Sequence, residues 1–134
     1  MRVKSSLASY VAEQLAPLGR ISSRAIFGGM GVFIDDRLLS IIIGDKVYLH
    51  TDKTNIDEYL TRGMPQFKPY PNAFDLTTDH HQVPPQIVDD AEQLKQWGER
   101  ALAAAVESAR AKQLAGIERS RHMKQAKKRD KDRK

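Results

Sequence analysis

The sequence contains no cysteine, and that absence excludes several kinds of chemistry at once. Without thiols the chain forms no disulfide, no thiolate nucleophile, no zinc–thiolate site and no iron–sulfur cluster. Long apolar runs are missing too. The opening residues, MRVKSSLASYVAEQLAPLGR, lack the continuous apolar segment of a secretory signal, and no later stretch is long enough to cross a bilayer. We therefore expect no contact with a membrane and a location in the cytoplasm.

Positive and negative charges nearly balance over most of the chain. The 134 residues carry a formal net charge of +5. Residues 118–134 hold nine lysines and arginines against three acidic residues, a net of +6, so residues 1–117 sum to −1. The sequence therefore predicts one domain at 1–117, followed by a basic and disordered tail at 118–134.

Hydrophobic periodicity predicts an α+β domain. A helical stripe of apolar residues opens the chain, and it comprises Leu7, Tyr10, Val11, Leu15 and Leu18. Four segments rich in β-branched and aromatic residues follow, separated by tight turns: SRAIFGG, GVFID, LLSIII and KVYLHT. Such short connections predict an antiparallel meander. A short middle helix and a long C-terminal helix, with Trp97 on its apolar stripe, are expected to pack on this sheet.

Three glycines in AIFGGMGVFIDD raise the question of a phosphate-binding loop. A dinucleotide-binding fingerprint is G-x-G-x-x-G at the start of a helix, whereas here G-G-x-G leads into Val-Phe-Ile, which reads as a strand. No Lys-Ser/Thr pair follows, so a P-loop is excluded as well. We interpret Phe27, Gly28, Gly29 and Gly31 as a kinked strand, since glycine in a strand marks a bulge, a bend or a close backbone approach.

No catalytic or cofactor site is predicted. Asp79-His80-His81 could contribute metal ligands, with His50 nearby, but adjacent strand residues point to opposite faces and do not share one ion. Solvated or hydrogen-bonded surface histidines are therefore the favoured interpretation. No G-x-S-x-G turn provides a nucleophile. We expect a protein that is not an enzyme and holds no metal or cofactor.

The basic tail has two interpretations, and both stay open. Its cations could contact nucleic-acid phosphates in a salt-sensitive and sequence-independent way. Aromatic residues are absent from the tail, so base stacking is not available. The other interpretation is a disordered, solubilising end. The candidate nucleic-acid contacts are Lys124, Lys127, Lys128, Arg129, Lys131, Arg133 and Lys134.

Several motifs in order resemble the N-terminal domain of the TfoX/Sxy family, bacterial regulators of natural competence. They are FGGMGVFIDDRLLSIIIGDKVYLHTD, FKPY, VPPQIVDD and LKQWGERALAAA, between about Arg24 and Ala105. The resemblance implies an antiparallel sheet packed by helices. It also implies no enzyme activity and a role in activating competence genes, alongside the cyclic-AMP receptor protein. The family usually has a second, C-terminal domain, which the basic tail replaces here, so we expect a stand-alone relative.

These observations lead to three functional hypotheses. The first is a non-enzymatic regulatory or protein-interaction domain with a partner in the transcription machinery. The second is a nucleic-acid-binding accessory protein that uses the basic tail. The third is an enzyme or small-ligand binder that uses a candidate face near Tyr48, His50 and His81. An exposed sheet edge near residues 66–81 would also allow a homodimer.

Overall fold

Among the residues that the structure describes, the fold comprises a five-stranded sheet, four α-helices and a short 3-10 helix at Ala16–Leu18. The computed structural model describes the backbone of residues 3–69 and 78–132 and the side chains of residues 7–69 and 78–117. The elements are, in chain order, α1 (Val3–Leu15), β1 (Ile21–Ile26), β2 (Gly29–Ile34), β3 (Arg37–Ile43), β4 (Lys46–His50), α2 (Ile56–Thr61), β5 (His80–Gln82), α3 (Pro85–Val88) and α4 (Ala91–Asp132).

The sheet is the predicted antiparallel meander. The strand order is β1-β2-β3-β4-β5, and each strand pairs antiparallel with the next. Two-residue turns join the first four strands. In the second of them Asp35 and Asp36 adopt φ values of 50° and 67°. Left-handed backbone at both central positions matches the twist of paired strands, which is why aspartate is tolerated there. The α+β fold class is confirmed.

The glycine-rich segment corrects the kinked-strand interpretation in part. Phe27 and Gly28 form the turn between β1 and β2, with φ values of 54° and 79°, and only Gly29 and Gly31 lie within a strand. The sequence concealed this turn because a phenylalanine seldom adopts positive φ. The expected close backbone approach is present at Gly29, where a Cβ atom would collide with the carbonyl oxygen of Ile42 in β3.

A β-bulge in β3 decides which side chains reach the core. Val32 pairs with Ser40 and Phe33 pairs with Leu38, so Leu39 is the extra residue. A bulge turns neighbouring side chains to the same face. The main core between sheet and helices therefore includes Leu39 as well as Ile42, and both are at most 2% exposed.

Helix α4 carries the largest aromatic side chain of the core. Trp97 is 5% exposed, and its ring lies edge-on to that of Tyr59 in α2, with 4.9 Å between the centroids. Leu94 and Ala101 bury the turns before and after it. The predicted packing of Trp97 in the core is confirmed. A smaller cluster of Ile41, Tyr48 and Phe67 lies on the opposite face of the sheet.

The described part of the edge expected near residues 66–81 is paired. Gln66 forms a bridge with His81, and the amide of Phe67 donates to the carbonyl of His80, so the two ends of this segment bind each other. The opposite edge is β1, whose four central residues are exposed. The homodimer stays a prediction, without support from a free edge at β5.

The backbone of helix α4 continues through Asp132, into the residues that the sequence predicts as a basic and disordered tail. Beyond Gly116 the chain has no glycine or proline and is rich in lysine and arginine, which are good helix formers. The low hydrophobicity of residues 118–134 gives no sign of tertiary packing, but these residue types still favour a helix. The domain boundary at 117 stays a prediction.

We expect the hydroxyl of Tyr59 to contribute nothing to stability. The side chain is 1% exposed, and its hydroxyl has no hydrogen-bond partner among the described residues. Tyr59→Phe should leave the free energy of unfolding unchanged or raise it, because an unsatisfied buried hydroxyl costs desolvation. Tyr10→Phe is the control, since it removes a 2.8 Å hydrogen bond to the carbonyl of Val88 and should cost about 1 kcal/mol. Urea unfolding measures the free energy of unfolding of both variants. An equal loss of stability in Tyr59→Phe and Tyr10→Phe would contradict this expectation.

Candidate functional site

The register of β4 and β5 separates the side chains of the candidate interaction face. Tyr48 pairs with Gln82, Leu49 with His81, and His50 with His80. Paired residues share a face of the sheet, so His81 lies on the core face with Leu49, whereas His50 and His80 lie on the other. Tyr48 and His50 therefore share a face that His81 does not, because alternation within one strand does not reveal how two strands are aligned. The use of these residues as an interaction face stays a prediction.

His81 is a buried structural residue. It is 5% exposed, and its Nδ1 shares a 2.7 Å hydrogen bond with the hydroxyl of Thr51. Its ring centroid lies 5.9 Å from that of Tyr59. Burial lowers its pKa below the usual range, so the neutral ring is favoured.

Two hydrogen bonds fix the tautomer of His80. A carbonyl oxygen only accepts, so the 3.1 Å contact between Nε2 and the carbonyl of Leu38 requires the proton on Nε2. Nδ1 then accepts from the hydroxyl of Thr78 at 3.0 Å. Burial is the main cause that lowers the pKa of His80 to about 4. His80 and His81 are thus hydrogen-bonded as expected, but they are buried rather than on the surface.

The fold should lose stability on mild acidification because of His80. The unfolded chain binds a proton there near pH 6.5, whereas the folded protein resists protonation down to about pH 4. Stability therefore falls as the pH drops from about 6.5 towards 4, by about 3 kcal/mol in total for this group. His80→Gln keeps an N–H donor for Leu38 and removes the titration.

Urea unfolding between pH 7.5 and about 4.5 tests this expectation. The free energy of unfolding of His80→Gln should fall less steeply with pH than that of the unaltered protein. His50→Gln is the control, and it should change the slope less because its ring is only half-buried. Parallel pH profiles for the unaltered protein and His80→Gln would contradict the assignment.

The segment of α4 beyond the core has few tertiary contacts among its described side chains. Of the described side chains of α4, Ala105 is the last buried one and Ser108 the last half-buried one. Every described side chain from 109 to 117 is exposed. At 1.5 Å per residue the helix extends about 40 Å past Ala105. We call residues 106–132 the projecting segment.

Three large apolar side chains lie on the projecting segment. Val106, Leu114 and Ile117 are 42%, 54% and 44% exposed. Their spacing of eight and three residues places them within roughly 80° of one another around the helix axis. None of the three was predicted as a functional residue, although their helical spacing is visible in the sequence. The projecting segment therefore presents an apolar stripe, with Arg110 between its members.

The candidate nucleic-acid contacts of the tail lie outside the described side chains. The backbone of residues 118–132 belongs to α4, and Arg133 and Lys134 lie outside the described residues altogether. The structure thus describes a helical backbone for residues 118–132, whose seven lysines and arginines and three acidic residues sum to +4, and it adds nothing on the contacts of those cations.

Neither a metal-binding cluster nor a membrane-spanning helix occurs in the part of the chain that the structure describes. There, no three His, Asp or Glu side chains come close enough together to hold a metal ion. No helix among the described residues has the length and apolar character that a bilayer span needs.

The fold and these surfaces define a small α+β domain with one helix that continues past the body. The family model for the TfoX N-terminal domain matches residues 13–105. The chain therefore belongs to the TfoX N-terminal domain family, which confirms the family that the sequence motifs indicated. The match ends at Ala105, the last of the described side chains of α4 that is buried, so the projecting segment lies beyond it. No curated protein matches the chain.

Proposed function

We propose that this chain is a non-enzymatic regulatory domain of the cytoplasm that acts in transcription by binding a protein partner. Membership of the TfoX N-terminal domain family supports a competence-related regulatory role. The observation that carries the proposal is the apolar stripe of Val106, Leu114 and Ile117 on the projecting segment. An amphipathic helix that docks in a groove of a partner presents anchors at this kind of spacing.

The energetics of the projecting segment favour a partner. A helix without tertiary contacts is only marginally stable in water, since packing of an apolar face supplies most helical stability. Burial of the three half-exposed side chains would contribute roughly 1 kcal/mol each. Arg110 lies within the stripe and the basic residues follow it, so the partner's groove should be apolar and rimmed by acidic side chains.

A stripe variant in cells tests the proposal. Val106, Leu114 and Ile117 are all replaced by glutamine, which preserves helix propensity but removes the apolar surface. Leu60→Gln is the matched control, because Leu60 in α2 is also exposed, at 55%, but lies away from α4's stripe. Each version replaces the chromosomal copy, and transcript profiles are compared with those of a deletion strain.

The stripe variant should reproduce the deletion profile, whereas Leu60→Gln should match the unaltered protein. Helical circular dichroism of the purified proteins verifies that both variants fold. A folded stripe variant with an unaltered transcript profile would contradict the proposed role of the stripe. An unaltered profile in the deletion strain itself would contradict the proposed role in transcription.

The second candidate function is sequence-independent nucleic-acid binding by the basic residues. The observation in its favour is the segregation of charge, +6 in residues 118–134 against −1 in the rest. Such a tail predicts affinity that falls steeply with salt, because each phosphate contact releases counterions.

Fluorescence anisotropy of labelled duplex DNA tests this second function. The proteins are the full chain, a truncation at residue 117, and a full-length variant with the candidate tail cations changed to glutamine. Binding by the full chain alone, weakening with added salt, is the expected result. Equal binding by all three proteins, or binding by none, would exclude the tail as the nucleic-acid contact.

A further inference from the structure

A polar cleft lies where α4 leaves the sheet. It has a volume of about 390 Å³, and residues from β3, β4, the segment before β5 and α4 line it. Its floor includes His80, whose two ring nitrogens are already bonded to Leu38 and Thr78. The ring of His50 stands perpendicular to that of His80, with 5.2 Å between the centroids. The apolar part of the wall is a turn of α4 around Ala105.

Two cationic side chains reach this cleft from different elements. Arg37 opens β3, and Lys112 lies on α4 one turn after Ser108. Neither forms an ion pair with another described residue. The hydroxyl of Ser108 adds a donor, and its 3.4 Å separation from Nε2 of His50 makes that contact a weak one. The cleft thus combines a guanidinium, an ammonium and a hydroxyl, each of which can donate a hydrogen bond to a ligand.

Two carboxylates oppose this charge. Asp79 lines the same cleft, so the charged residues of the lining sum to +1, and Asp52 lies close enough to act on the ring of His50. Burial keeps His50 and His80 in their neutral forms near neutral pH, since it lowers the pKa of both rings. Asp79 and Asp52 thus offset much of the positive charge, and only the small excess among the lining residues favours an anion.

We propose that the cleft binds the phosphate group of a small molecule between Arg37 and Lys112, with Ser108 as a further donor. A guanidinium binds a phosphate through paired N–H donors, and an ammonium adds a point charge. The cleft is larger than a phosphate ion alone, which leaves room for a small organic substituent. A phosphate in this position bridges β3 and α4, so it holds the projecting segment at its exit from the body. This site is independent of the partner proposed above.

The test titrates the full chain with inorganic phosphate at pH 7.5 and constant ionic strength, and follows the ring resonances of His50 by NMR. His50 lies in the cleft, so its shift separates this site from phosphate bound by the basic tail. Glycerol 3-phosphate is titrated in parallel. Tighter binding of the ester would assign an organic phosphate as the ligand, and equal binding would assign recognition of the phosphate group alone.

Three charge variants and one control define the expected result. Arg37→Gln and Lys112→Gln should each weaken the saturable shift of His50 by about tenfold, since each removes a charged hydrogen bond. Asp79→Asn should tighten binding by roughly threefold, because a like charge is removed. Arg110→Gln removes an exposed cation of the same helix that does not line the cleft, and it should change nothing. No saturable shift of His50, or a shift that Arg37→Gln and Lys112→Gln leave intact, would overturn the proposal.

Discussion

The packing of one helix across the sheet is the constraint on which the rest of this structure depends. Trp97 of α4 fills the space between the sheet and Tyr59 of α2, while Leu94 and Ala101 bury the adjoining turns. Because α4 is continuous from Ala91 to Asp132, the core contacts of its first part fix the direction in which its second part leaves the body. The same helix thus supplies both the core packing of the domain and the proposed partner surface.

The point where α4 leaves the body explains the polar features around it. The alanines at 104 and 105 keep the helix close to the sheet, and Ser108, one turn after Ala104, is a half-buried polar residue. There the sheet ends in the polar pair His50 and His80 instead of aliphatic residues. A continuous apolar seam would have closed this gap, whereas polar groups of modest size leave a cleft between helix and strand ends. The cleft and the projecting segment therefore meet at one turn of helix.

Local patterns in the sequence were sufficient for the meander and its helices. Two-residue turns force antiparallel neighbours, and the apolar stripe that contains Trp97 specified the buried side of α4. The alignment of β4 with β5 was not accessible in this way, because a long stretch without a regular pattern separates them and a one-residue slip would exchange the two faces. The burial of His80 and His81 follows from that alignment. It could not be predicted from residue types that usually lie at the surface.

The account rests most directly on the claim that α4 continues as a helix beyond the body. Backbone chemical shifts of the full chain in solution, assigned by NMR for residues 106–132, measure this claim residue by residue. The account predicts helical Cα shifts that continue without a break past Ala105 and through the stripe of Val106, Leu114 and Ile117. Random-coil shifts that begin directly after Ala105 would contradict it, because the apolar side chains would then share no common face for a partner.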